Sequence, residues 1–196
     1  MNTTTQSSQD AGTRQKRLVI YLNDHLAGST AGVELARRMA GEHRQSPFGE
    51  ALENLRKEVS QDRQALVRLL ADLDVPVRRY KVYGAWLAEK AGRAKPNGRL
   101  VRRSGLSLLI ELEAMRLGVQ GKAALWRGLL AGSAQDARLD ADRLEELLRR
   151  ADRQIRTLDA LHARAADTLL FPTSRPEPTS TAPTGTNAPT GTNAST

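Results

Sequence analysis

The chain has no cysteine, few aromatic residues and no long hydrophobic run, and each of these absences narrows its class. The lack of cysteine in 196 residues excludes disulfides, thiol catalysis and thiolate metal sites. Aromatic residues make up 4% of the sequence and apolar residues 39%. Leucine and alanine supply most of the apolar part, which favours helix packing over a β-sandwich. We therefore expect an all-α protein.

No stretch of the sequence reaches the roughly 18 consecutive apolar residues of a transmembrane helix. The first sixteen residues are polar, and the run LVIYL that follows them is too short for a secretory signal. We therefore expect no transmembrane segment and a cytoplasmic location.

Polar tails flank a single stretch that can bury a core. Residues 1–16 are predicted to be a disordered tail, and residues 17–171 to form one domain. Residues 172–196 are rich in Pro, Thr, Gly and Asn, and repeat Ala-Pro-Thr-Gly-Thr-Asn in tandem at 182–193. This composition buries too little apolar area to fold, and it predicts a disordered C-terminal tether or spacer.

The spacing of apolar residues predicts four long helices, which make a helical bundle. The first covers about 17–43, and the second starts at the capping pair Ser46-Pro47 and ends before Val75-Pro76. The third starts after Ser104 and runs to about 131, and the fourth covers about 140–170. The connection 74–104 is predicted to contain a short amphipathic helix near 79–93.

The opening helix contains the sequence YLNDHLAGSTAGVELARR at 21–38. This motif resembles that of uncharacterised bacterial ferritin-like proteins, and the layout of two helices on each side of a long connection extends the resemblance over about 17–170. The resemblance implies a ferritin-like four-helix bundle in which the connection is a crossover. The crossover would make the second and third helices parallel.

The resemblance also implies a candidate metal site. Ferritin-like di-iron proteins carry Glu on the first and third helices and Glu-x-x-His on the second and fourth. Counting residues along the predicted helices places four matching side chains at one level, where they would bind iron or manganese. These are Glu34, Glu58, Glu113 and His162.

The ligand pattern is incomplete, because Gln61 stands where the second helix would carry histidine and Asp159 where the fourth would carry glutamate. Glutamine is a poor ligand for iron compared with neutral imidazole. The pattern therefore favours a bundle without a cofactor. The alternative is an oxidase or peroxide-handling protein with a degenerate di-iron site.

The net charge of the chain is concentrated in one segment. Between positions 78 and 103, nine basic residues face the single acid Glu89, whereas 21 basic and 21 acidic residues balance elsewhere. Such a local field attracts an acidic protein, an anionic lipid surface or nucleic acid, although a purely solubilising crossover remains open. The nine are Arg78, Arg79, Lys81, Lys90, Arg93, Lys95, Arg99, Arg102 and Arg103.

Two further polar residues fall on apolar helix faces. Asp62 interrupts the apolar stripe of the second helix, and a buried carboxylate needs a partner, for which an arginine of a neighbouring helix is expected. His25 is expected to be a hydrogen-bonded core residue. The sequence as a whole favours a non-enzymatic binding or assembly module that uses the basic crossover, and it leaves open whether two copies pair through an outer helix face.

Overall fold

A computed structural model describes the backbone of residues 2–78 and 106–171. It describes the side chains of these ranges from Gly12 onward. Within these ranges the chain forms four helices and no strand, which confirms the all-α prediction. None of these helices combines the length and apolar character that a membrane span requires.

The helices match the predicted elements closely except at their starts. They are α1 (Asn2–Glu42), α2 (Gly49–Asp72), α3 (Leu106–Gly132) and α4 (Ala141–Leu170). Helix α1 extends back to Asn2, although residues 1–16 were predicted to form a tail. No proline interrupts this stretch, so the helical hydrogen-bond ladder can continue through it. The predicted disordered tail 172–196 and the predicted short helix near 79–93 lie outside the described residues.

The turn between α1 and α2 differs from the predicted cap. Helix α2 begins at Gly49 after Phe48, and the Ser46 hydroxyl instead donates to the carbonyl of His43 and accepts from the Phe48 amide. The turn brings the Arg44 carbonyl oxygen to 2.4 Å from the place where a Cβ of residue 49 would lie. Glycine is therefore required at position 49 because the backbone approaches it so closely.

Contacts between the helices fix their directions. Gln15 of α1 donates to the carbonyl of Leu73 just after α2, and Arg63 donates to Thr30, so α1 and α2 are antiparallel. Arg38, late in α1, donates to Glu111, early in α3. Helix α1 is therefore antiparallel to α3 as well, and α2 and α3 run parallel. Helix α4 packs between α2 and α3, on the side of the bundle opposite α1.

The chain after α2 is anchored on α1 by Asn23, which is fully buried. Its side-chain amide donates to the carbonyl of Pro76 at 3.1 Å and accepts from the backbone amide of Arg78 at 2.8 Å. Leu106 begins α3 near the other end of α1. With a rise of about 1.5 Å per helical residue, Arg78 and Leu106 are about 30 Å apart along the bundle.

Leucine dominates the core, and each helix contributes one apolar stripe to it. Helix α3 also carries apolar side chains on its outer side, among them Ile110 and Leu117. Two leucines of this helix thus occupy opposite environments. Leu112 is 1% exposed and Leu117 is 67% exposed.

The substitution Leu112→Ala is expected to lower the free energy of unfolding by about 2–5 kcal/mol, because it leaves a cavity in the core. The matched substitution Leu117→Ala should change the unfolding free energy by less than about 0.5 kcal/mol. Urea denaturation followed by circular dichroism measures both. Equal losses in the two variants would contradict the described orientation of α3.

Candidate functional site

A cavity of about 440 Å³ lies between α1, α2 and α3. Its walls are mostly apolar, with Leu35 of α1, Leu66 of α2 and Met115 of α3 among the side chains that line it. Polar groups are few and lie at defined places on the wall. This combination of size, apolar lining and sparse polar groups is typical of small-molecule pockets.

Glycines on two facing helices create the space. Gly28 and Gly32 of α1 and Gly118 and Gly121 of α3 line the cavity, and a Cβ added at any of them would have nothing within 4 Å. The helix period of about 3.6 residues puts each pair on one face of its helix. The cavity therefore exists because both helices lack side chains where they face one another.

A buried polar cluster forms one part of the cavity wall and joins three helices. The Lys122 ammonium of α3 donates to Asp62 Oδ2 of α2 and to Gln154 Oε1 of α4, both at 2.5 Å. Gln154 Nε2 donates to Glu58 Oε2 at 2.9 Å and to Asp62 Oδ2 at 3.0 Å. Arg150 of α4 donates to the other oxygen of Asp62 at 3.1 Å.

The expectation that an arginine of a neighbouring helix pairs with Asp62 is confirmed by Arg150. Lys122 was not anticipated as a second partner. Burial lowers the pKa of Lys122, while the attraction of Asp62 opposes that shift. Asp62 is only 2% exposed. A carboxylate this deeply buried requires charged or hydrogen-bonding partners such as Lys122 and Arg150.

His25 lies beside the cavity rather than deep in the core. It is half-buried, and its ring meets Tyr21 edge to face at 4.7 Å between centroids. Partial burial lowers its pKa, and the neighbouring Asp24 carboxylate opposes that shift. Asp24 and His25 are thus the polar residues that α1 contributes to the cavity, together with the hydroxyl of Ser29.

Trp126 of α3 lines the cavity and is fully buried. Its indole Nε1 has no hydrogen-bond partner among the described residues. Sequence analysis did not single out this side chain, because its position on an apolar stripe made it a core residue. Only the packing of the helices shows that its Nε1 is buried without a hydrogen-bond partner.

The four predicted metal ligands occupy three separate places. Glu113 and His162 are in contact, with 3.0 Å between Glu113 Oε1 and His162 Nε2. Glu34 is exposed and bound to Arg37 of its own helix, whereas Glu58 belongs to the buried cluster around Asp62. Glu58 contacts α4 at Gln154, eight residues before His162, and this separation corresponds to about 12 Å along the axis.

The described arrangement therefore does not bring the four ligands together, and the metal site stays a prediction. Gln61 accepts from Arg150, and Asp159 pairs with Arg116. Within the described ranges, a different group of ligand atoms lies within 4.8 Å of one another, formed by Glu42, His43 and Glu111 at the end of α1 and the start of α3. Arg38 already neutralises Glu111 in that group.

Of the nine basic residues predicted to bind an anionic partner, only Arg78 is described, and it is exposed. The other eight lie outside the described residues. The anion-binding surface thus stays a prediction. Comparison of the chain with protein-family models, with curated proteins and with solved structures finds no match.

The substitution Asp62→Ala is expected to lower the free energy of unfolding by about 3–5 kcal/mol, because Lys122 and Arg150 lose their buried counter-ion. The control Asp159→Ala removes an exposed carboxylate that pairs with Arg116 and should cost less than about 1 kcal/mol. Urea denaturation at pH 7 compares the two variants. A loss below that of the control for Asp62→Ala would contradict the buried cluster.

Proposed function

We propose that this chain is a non-enzymatic, ferritin-like helical bundle that binds a small, mostly apolar molecule in the cavity between α1, α2 and α3. The observation that carries the proposal is the cavity itself, about 440 Å³ in volume and lined mainly by apolar side chains. Pockets for small molecules typically measure about 300–1,000 Å³. The volume suits a molecule with one or two rings.

The chemistry of the cavity wall favours binding over turnover. Lys122 and Asp62 are the most deeply buried ionisable groups of the wall, and they pair with one another. A general base or a nucleophile would need access to its substrate, whereas these groups are engaged with Gln154 and Arg150 as well. The cavity thus offers a ligand a shaped and mostly apolar surface.

The ferritin-like assignment is supported by the helix directions. Helices α3 and α4 are antiparallel, because Glu113 contacts His162 whereas Lys122, later in α3, contacts Gln154, earlier in α4. The antiparallel pairs α1–α2 and α3–α4, together with parallel α2 and α3, match the arrangement that a long crossover produces. The separation of Arg78 from Leu106 along the bundle also suits a crossover of that kind. The alternative oxidase function draws support only from the contact of Glu113 with His162.

A second candidate function is contact with an anionic partner through the basic segment 78–103. The observation that favours it is the charge of that segment, which equals the +8 net charge of the whole chain. Phosphate groups would be bound by arginine with release of counterions, so such binding would weaken as salt increases. An acidic protein, anionic lipid and nucleic acid would each satisfy this chemistry.

Filling the cavity should abolish binding of an apolar probe without unfolding the protein. The substitution Gly118→Leu places a side chain in the cavity, whereas Gly128→Leu adds the same side chain on α3 away from it. A Cβ at either position meets nothing within 4 Å, and leucine favours helix more than glycine does. Both variants should therefore fold.

The measurement is titration with α-methylstyrene of protein labelled with ¹³C at its methionine methyl groups. The chain has three methionines. Of these, Met115 lines the cavity, and Met39 is buried outside its lining. The Met115 signal should move in the wild type and in Gly128→Leu, but not in Gly118→Leu. An unmoved Met115 signal in the wild type at millimolar probe would refute the cavity function.

Reversing the charge of Arg99, Arg102 and Arg103 to Glu is expected to abolish binding to vesicles that contain phosphatidylserine or to duplex DNA, whichever the wild type binds. The control reverses the exposed Arg127, Arg153 and Arg156, which changes the net charge equally. Co-sedimentation and fluorescence anisotropy at several salt concentrations measure the affinities. Equal weakening in both triple variants would show that net charge alone acts, and would remove the segment from the proposal.

A further inference from the structure

Helix α3 exposes a row of five uncharged residues on the side that faces away from the core. Leu106, Ile110 and Leu117 are 49%, 59% and 67% exposed, and the small residues Ala124 and Gly128, which are also exposed, continue the row. Steps of four and seven residues return to nearly the same direction around a helix of about 3.6 residues per turn. The five residues therefore form one stripe, the α3 stripe, which runs for about 33 Å along the helix.

The order of the residues in the α3 stripe is symmetric about Leu117. Ile110 and Ala124 lie seven residues on either side of Leu117, and Leu106 and Gly128 lie eleven. When two copies pack their stripes antiparallel with Leu117 at a twofold axis, Ile110 faces Ala124 of the other copy, and Leu106 faces Gly128. A large side chain then meets a small one at each of these places. The α3 stripe is thus self-complementary, as an interface between two identical chains must be.

Charged residues of α4 fit the same arrangement. Asp159 pairs with Arg116 and therefore lies level with the centre of the α3 stripe. Arg156 lies about one turn away on α4, and both Asp159 and Arg156 are exposed. An antiparallel copy reverses this order along the axis, which brings its Arg156 to within about 2 Å of the height of Asp159. The twofold axis also leaves both α4 helices on one side of the paired α3 helices, so opposite charges come level across the contact.

A shifted register is less favourable because of Glu113, which lies at the edge of the stripe. If Ile110 faced Leu117 of the other copy, Glu113 would lie within about 2 Å of the height of its own copy. Like charges placed opposite one another destabilise an interface. With Leu117 at the axis, the two copies of Glu113 are about 12 Å apart along the helices. The charges thus favour the register centred on Leu117.

We infer that two copies of this chain pair through the α3 stripe, antiparallel and with Leu117 at the twofold axis. This contact is separate from the cavity and goes beyond the proposed function. A strip about 33 Å long and about 10–12 Å wide covers about 330–400 Å² of each copy, which is less than the roughly 800 Å² per partner of a standard interface. The dimer therefore forms reversibly and dissociates on dilution.

The absence of cysteine from the chain makes the register testable by disulfide cross-linking, because each introduced thiol is the only one in its chain. A disulfide needs two Cα atoms about 4.4–6.8 Å apart. Leu117→Cys puts the thiols of both copies at the axis, so this variant should cross-link with itself under mild oxidation.

Two further variants test the antiparallel direction. In a dimer of Ile110→Cys, or of Ala124→Cys, the two thiols are about 21 Å apart along the helices, so neither variant should cross-link alone. A mixture of the two chains brings the thiols opposite one another. It should cross-link at least about tenfold faster than either variant alone, because only the mixture meets the distance requirement. Electrophoresis without reducing agent measures the rates.

Analytical ultracentrifugation gives a second readout. The wild type should change from monomer to dimer as its concentration rises from about 1 to about 500 µM, the range expected for a small interface. Leu117→Glu puts two carboxylates at the axis and should stay monomeric throughout. The control Ile20→Glu makes a similar exchange at a residue of α1 that is 52% exposed, and it should behave as the wild type does. Circular dichroism checks that both variants are folded.

Each contrary result overturns the inference. A wild type that stays monomeric over this range, with no cross-link in Leu117→Cys, would show that no second copy covers the α3 stripe. Cross-linking of Ile110→Cys alone as fast as the mixture would refute the antiparallel register. Equal loss of the dimer in Ile20→Glu and Leu117→Glu would locate the contact on a different face.

Discussion

Asp62 sets the level at which three of the four helices meet. Its carboxylate lies in the middle of α2 and is held by Lys122 of α3 and by Arg150 and Gln154 of α4. A carboxylate buried in an apolar interior is tolerated only when such partners surround it, so a shift of either neighbouring helix by one turn would leave a charge without compensation. The register of α2, α3 and α4 thus depends on this cluster. The pairing of Arg116 with Asp159 and the contact of Glu113 with His162 follow from the same register along α3 and α4.

The cavity follows from the same register together with the glycines of α1 and α3. Once α3 is fixed by Lys122, Gly118 and Gly121 face the side of α1 that carries Gly28 and Gly32. A space opens there because neither helix has a side chain to fill it. The polar cluster then becomes part of the cavity wall, with its charges already satisfied, and Trp126 becomes the buried donor beside an apolar space. On one helix, Lys122 therefore compensates the buried carboxylate, while the nearby Trp126 borders the cavity.

Sequence patterns predicted some features of the site and missed others for physical reasons. The need of Asp62 for an arginine could be predicted, because a carboxylate within an apolar stripe has few alternatives. Glycines such as those of α1 and α3 permit close packing of helices, but whether the facing helices close the space depends on the distance between them, which no local sequence pattern encodes. The metal hypothesis placed Glu58 and His162 at one level by counting residues from predicted helix ends. In the structure Glu58 contacts α4 at Gln154 and not at His162. The reason is that the buried cluster, rather than the positions of the helix ends, sets the register of α2 and α4.

The sequence by itself determined the all-α class, the approximate limits of α2, α3 and α4, the concentration of positive charge at 78–103 and the burial of Asp62. Each of these depends on composition or on periodicity within one segment, which are local properties. Tertiary structure decided which helices are neighbours, where α1 begins, which cations meet Asp62, and that the glycines of α1 and α3 border a cavity beside Trp126. These features depend on the relative register of helices distant in sequence, and that register is set by packing and charge compensation over the whole bundle.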